Sequence, residues 1–179
     1  SYMISLSIGQ GELMITPIQM ANLATILANR GYYITPHIVR SINDSTSSQI
    51  QKHVIPIARK HFDPIVEGMQ MVIKEGTGRR AQIDSITIAG KTGTVQNPHG
   101  DDHSVFIAFA PVENPKIALI VYVENGVWGS RYAAPIAGLL IEKYLKGKIS
   151  DRKKPLEKEM FQGSLIHNTT SKVKETSNE

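Results

Sequence analysis

The sequence has 179 residues, with 20 Lys and Arg against 16 Asp and Glu, a formal charge of +4, and 41% hydrophobic residues. That length suits one domain with a sizeable core, and the apolar content excludes a wholly disordered chain. No apolar run approaches the ~20 residues of a membrane-spanning helix, and the lack of cysteine excludes disulfides, zinc knuckles, iron–sulfur sites and thiol nucleophiles.

The basic excess is small and scattered, so no nucleic-acid partner is expected. Ser1-Tyr2-Met3-Ile4-Ser5 lacks the basic start and apolar core of a secretory signal, so the sequence is expected to begin as a mature protein or within a longer one.

In chain order, Gly9-Gln10-Gly11 marks a turn, and Thr16-Pro17-Ile18-Gln19 forms a capping box that opens a helix over 16–30. Met20, Leu23, Ala24, Leu27 and Ala28 share its apolar face, and Gly31 closes it. Residues 32–42 read as an extended stretch broken by Pro36, with Tyr32 and Tyr33 packing on the first helix, and the polar segment 43–52 reads as a solvent loop. Asp63-Pro64 signals a second helix over 64–75, with Asp63 as cap and Ile65, Met69, Val72 and Ile73 inward, ended by Gly76-Thr77-Gly78.

Three strands are expected next, at about 86–96, 104–111 and 116–124, the last two antiparallel across the tight turn Val112-Glu113-Asn114-Pro115-Lys116. Trp128 is expected to plug the core. A last helix over 132–146 turns Ile136, Leu139, Leu140 and Tyr144 inward and ends at Gly147. The fold class is therefore α+β, three antiparallel strands with flanking helices. Residues 148–179 carry seven basic and five acidic side chains and read as a flexible polar tail, with 156–161 a candidate short helix.

Chemistry concentrates at Ala89-Gly90-Lys91-Thr92-Gly93-Thr94. A phosphate loop would need glycine at position 85, where Ser85 stands, and a helix opening at the lysine, where a strand is expected. The same residues match the Lys-Thr-Gly motif of serine β-lactamases and penicillin-binding proteins. On a sheet edge, Lys91 supplies positive potential, Thr92 and Thr94 can donate to a substrate carboxylate, Gly93 permits close approach, and the Thr94 amide is a candidate oxyanion donor.

Other motifs stand around it in order: Ser7-Ile8-Gly9-Gln10-Gly11, Thr16 to Ala21, Ala28-Asn29-Arg30-Gly31, Gly76-Thr77-Gly78, Ala108 to Pro111, Asn114-Pro115 and Val123-Glu124-Asn125-Gly126. On this series, residues 1–147 resemble the C-terminal part of the transpeptidase domain of elongation-type class B penicillin-binding proteins, the penicillin-binding protein 2 group. The resemblance implies a partial fold of the serine β-lactamase type. It also implies a D,D-transpeptidase that crosslinks peptidoglycan stem peptides ending in D-Ala-D-Ala and is acylated by β-lactams. It further implies no cofactor, a periplasmic location at the inner membrane through an N-terminal anchor outside this sequence, and elongation-complex membrane proteins as partners.

The family's nucleophilic Ser-x-x-Lys lies far upstream of its Lys-Thr-Gly strand. Here Ser150-Asp151-Arg152-Lys153 and Ser171-Lys172-Val173-Lys174 fit the pattern but follow that strand, and Ser41-Ile42-Asn43 fits Ser-x-Asn in the wrong order. The sequence is thus expected to lack the nucleophile and to be inactive alone. The alternatives are a non-catalytic binding or structural module, or part of a β-lactamase or β-lactam sensor. His99, Asp101, Asp102 and His103 group possible metal ligands in a hairpin loop, but without helical spacing or cysteine support they read as a hydrated loop, with a cleft-shaping role open for Asp102 and His103.

Overall fold

The apolar run after Ser104 becomes the middle strand of an antiparallel sheet because both of its faces are covered. The computed structural model describes residues 14–39 and 51–165, together with 3–4, 9, 41–42 and 45–46. Its elements are α1 (Pro17–Ala28), β1 (Tyr32–Ile34), β2 (Ser41–Ile42), β3 (Ser45–Thr46), β4 (Lys52–Val54), α2 (Asp63–Lys74), β5 (Ala89–Val95), β6 (His103–Ala110), β7 (Ile117–Val123), α3 (Ala133–Lys146) and α4 (Lys154–Gln162). The sheet order is β5-β6-β7, with Lys91 opposite Ile107, Thr94 opposite Ser104, and Phe106 opposite both Thr92 and Val121. This is the α+β arrangement the strand pattern predicts.

Alternation along β6 sorts the core into two layers. Phe106, Ala108 and Ala110 pack with Ile73, Ala81, Ile88 and the α3 residues Ala133, Ala134, Ala137 and Ile141. Ile107 and Phe109 pack on the other side with Ala24, Leu27 and Ala28 of α1, Val66 and Met69 of α2, and Phe62. Helices therefore cover both faces of the sheet.

Helix α1 starts as its capping box predicts, with Gln19 Oε1 accepting from the Thr16 amide at 2.8 Å. At its end Arg30 adopts a left-handed φ of 55°, and its guanidinium donates to the carbonyls of Leu27 and Ala28. Asp63 departs from its expected capping role: it lies inside α2 and accepts from Arg30 Nε at 3.4 Å, joining the two helices.

Among the described residues of 32–54 the chain departs from a plain extended stretch and loop, since β1 pairs with β4 and β2 with β3. Tyr33 stacks on His53 with ring centroids 4.7 Å apart, and Lys52 Nζ lies 3.9 Å from the Tyr32 ring centroid. Both tyrosine rings thus also engage side chains of β4 across the strand pair.

On α3 the inward stripe sets small residues, Ala133, Ala134 and Ala137, beside Leu139 and Ile141. Gly138 lets the helix approach the 79–81 turn so closely that a Cβ there would sit 2.7 Å from the Ala81 carbonyl oxygen. That approach rotates Leu140 and Tyr144, expected inside, onto the surface. Ile65 of α2 is likewise exposed, while Val66 of the same helix is buried in its place.

Where the composition suggests a flexible tail, residues 151–162 form a 3-10 turn and α4. They are docked by Arg80, whose Nη2 donates to both carboxylate oxygens of Glu159 at 2.6 and 2.7 Å, and by buried Ile149. Among the described residues no helix is long and apolar enough to cross a membrane. Ser7, Ile8, Gln10, Gly11, Asn43 and the Ser-x-x-Lys match at 171–174 lie outside the described residues.

Candidate active site

Strand β5 forms one edge of the sheet, so one side of its backbone faces away from the β6 ladder. Its alternation puts Ala89, Lys91, Gly93 and Val95 on the face of Ile107 and Phe109, toward α1 and α2, and Gly90, Thr92 and Thr94 on the face of Phe106, toward α3. The cation and the two hydroxyl groups thus start from opposite faces of one exposed edge. Lys91 is exposed, and its Nζ donates to the Thr92 carbonyl at 2.7 Å.

The glycines of the motif differ in purpose. A Cβ at Gly90 would lie 2.5 Å from Cζ of fully buried Phe106, so this position is small for packing. A Cβ at Gly93 would meet Val105 at an ordinary 3.5 Å, so nothing in the described fold demands glycine there.

Two neighbours that the sequence reading leaves without a role position the strand. Gly78 donates its amide to the Val72 carbonyl at 2.9 Å, drawing the turn after α2 tight against the helix end. The turn's Thr77 then stands over β5, with its Oγ1 2.6 Å from Thr92 Oγ1. Gly129 also closes on the strand, sitting where a Cβ would fall 2.5 Å from the Val105 oxygen, 2.9 Å from the Gly93 oxygen and 3.0 Å from Thr92 Cβ. Two cross-strand carbonyls converging in this way mark Gly93 and Val105 as a pair exchanging ladder bonds, which by alternation turns the backbone groups of Thr92 and Thr94 toward the free edge.

Trp128 is 58% exposed, and so is not the expected core plug. The interior holds its carbonyl instead, which accepts from Ser104 Oγ at 2.9 Å, while the same Oγ accepts from the Ala133 amide at 3.1 Å. Ser104 is fully buried and caps the first turn of α3 from a neighbouring strand. A lone serine inside an apolar strand was the available signal. The loop it holds presents the Trp128 ring at the surface.

The histidine and aspartate loop is a structural clasp. Asp102 Oδ1 accepts from the Asn97 amide at 3.1 Å, and His103 Nδ1 accepts from the Asn125 amide at 3.0 Å. The Val127 amide donates to the Asp102 carbonyl, and His99 donates its amide to Asn97 Oδ1. These bonds tie the β5–β6 hairpin to the loop after β7. Among the described residues no three His, Asp or Glu side chains gather as a metal site. The Ser150 to Lys153 match lies in the turn before α4, lining a polar cavity that no β5 residue lines.

Residues 2–142 match the family model described as penicillin binding protein transpeptidase domain. The chain is 33% identical over 171 residues to the peptidoglycan D,D-transpeptidase MrdA of Haemophilus influenzae, covering 82% of this chain and 26% of that protein. It is 35% identical over 157 residues to the peptidoglycan D,D-transpeptidase PbpA of Mycobacterium tuberculosis, covering 79% and 32%. Among solved structures, Pseudomonas aeruginosa PBP2 in complex with WCK 5153 superposes with a TM-score of 0.73 at 35% identity, covering 86% of this chain and 35% of that one. The imipenem acyl-enzyme complex of penicillin-binding protein A from M. tuberculosis gives 0.71 at 33% identity, covering 79% and 33%. The chain thus spans about a quarter to a third of the length of the curated relatives it matches, and it belongs to the penicillin-binding protein transpeptidase family.

Proposed function

We propose that this chain supplies one wall of the active site of a peptidoglycan D,D-transpeptidase, a target of β-lactams, and that the nucleophilic serine comes from sequence outside it. The observation that carries the reading is the free edge of β5, with Lys91 on one face, Thr92 and Thr94 on the other, and Thr77 against Thr92. An extended peptide ending in D-Ala-D-Ala lies along such an edge, main chain against main chain. Thr92 and Thr94 donate to its terminal carboxylate, and Lys91 supplies positive potential for that carboxylate and for proton movement.

In the reaction, the serine oxygen attacks the penultimate D-alanine carbonyl, and its proton passes to the leaving amine as D-alanine departs. An amine of a neighbouring stem peptide then takes the acyl group, and the serine recovers its proton. The Thr94 amide, turned to the free edge, is one donor to the oxyanion, a contact worth ~2.7–4 kcal/mol. A β-lactam acylates the same serine and leaves the ester in place. No cofactor enters this scheme. The complete protein works at the periplasmic face of the inner membrane, tethered by an N-terminal helix outside this sequence, beside membrane proteins of the elongation complex.

Fluorescent penicillin tests the assignment. The 179-residue chain is expected to take no covalent label, and a stable adduct would place the nucleophile within it and overturn the reading. In the complete protein Lys91→Ala is expected to slow acylation about a hundredfold or more, and near-normal labelling removes Lys91 from the chemistry.

A further inference from the structure

A cavity of about 260 Å³ opens between the turn at 79–84, the C-terminal end of α3 and the turn before α4. Four of its lining side chains are cationic, Arg79, Lys146, Arg152 and Lys153, and two are carboxylates, Asp84 and Glu142. Both carboxylates already have partners. Asp84 pairs with Arg152 Nη1. Glu142, 1% exposed, takes Lys146 Nζ at 3.4 Å on one oxygen and the Ser150 amide at 3.4 Å on the other.

Two cations are left over. Arg79 has no carboxylate among the described ion pairs, and Lys153 Nζ is buried without a hydrogen-bond partner. A buried ammonium with three unused donors is costly, and its natural complement is an anion. The volume lies just under the ~300–1,000 Å³ of drug-sized ligand sites, so the complement is a small one. The surplus of two positive charges and the fork-shaped donors of Arg79 and Arg152 favour a doubly charged oxyanion.

We infer that this cavity binds a small tetrahedral dianion, inorganic phosphate or a phosphate monoester, held chiefly by Lys153 and Arg79. Burial pushes the Lys153 ammonium below its usual range, while Glu142 and Asp84 pull it up. The site draws on none of the β5 residues, and it ties α3 to the segment that leads into α4.

Isothermal titration calorimetry of the 179-residue chain with inorganic phosphate, at constant ionic strength in chloride, is expected to show one saturable site. Lys153→Met should weaken it at least tenfold and Arg79→Gln three- to tenfold, while Lys52→Ala, on exposed β4, should leave it unchanged. Glycerol phosphate run in parallel separates the sources: tighter binding than phosphate assigns an esterified ligand, and weaker binding assigns the free ion. Absence of saturable binding, equal binding of acetate, or unchanged affinity in both Lys153→Met and Arg79→Gln overturns the proposal.

Discussion

Thr77 Oγ1 lies 2.6 Å from Thr92 Oγ1, so the turn that ends α2 hydrogen-bonds to the middle of the Lys-Thr-Gly-Thr strand. In the proposed site, this contact would restrict the Thr92 side chain and so reduce the ordering cost of binding a substrate carboxylate.

Replacing that hydroxyl tests its role. Thr77→Val is expected to destabilise the chain by about 0.5–1.5 kcal/mol, the net worth of one hydrogen bond. In the complete protein it should slow β-lactam acylation about three- to tenfold, while Thr77→Ser restores the rate. Urea denaturation together with stopped-flow acylation checks both. A loss of stability with unaltered acylation would leave Thr77 a purely structural residue.

Gly129 is held to glycine by backbone on two sides. Because the Val105 and Gly93 oxygens that a Cβ would strike belong to the sheet and cannot swing away, Gly129→Ala is expected to cost about 1–3 kcal/mol. Gly68, inside α2, is the contrast, since a Cβ there meets nothing within 4 Å. Gly68→Ala should stabilise by about 0.5–1 kcal/mol through helix propensity. Chemical denaturation midpoints of the two variants should move in opposite directions, and parallel shifts would contradict the packing described for Gly129.

Lys153 gives a pH dependence whose sign follows from its lowered pKa. Between the folded value and the ordinary one of about 10.4, the unfolded chain binds more protons, so this group's contribution to stability rises with pH across that window. Arg79, Asp84, Glu142, Lys146 and Arg152 face the same cavity. Lys153→Met is therefore expected to be more stable than the parent at neutral pH in phosphate-free buffer, with the advantage shrinking as pH approaches 10.4. Urea midpoints of the two proteins from pH 7 to 10.5 decide it, and an advantage constant across that range would show that burial does not perturb Lys153.

How much was legible beforehand varied with the range of the interaction. The approximate places of α1, α2, β6 and α3 were readable because the signals are local: the capping box at Thr16, the proline in Asp63-Pro64, the two-sided apolar run of β6 and the glycine after α3. Which side of a helix faces inward was less readable. Leu140 and Tyr144 lie on the surface, while the core took Ala133, Ala134 and Ala137 together with Ile141, because close approach to the 79–81 turn leaves room only for small residues along that line of contact.

By itself, the sequence determined the family and the identity of the Lys91 to Thr94 edge, since residue order and the period of a strand require no distant partner. Only the tertiary structure decided what surrounds that edge: Thr77 against Thr92, Gly129 against Gly93 and Ser104 under Trp128. Each of these is a contact between residues far apart in the chain. Their geometry follows from how the layers close, and no local pattern of residues encodes it.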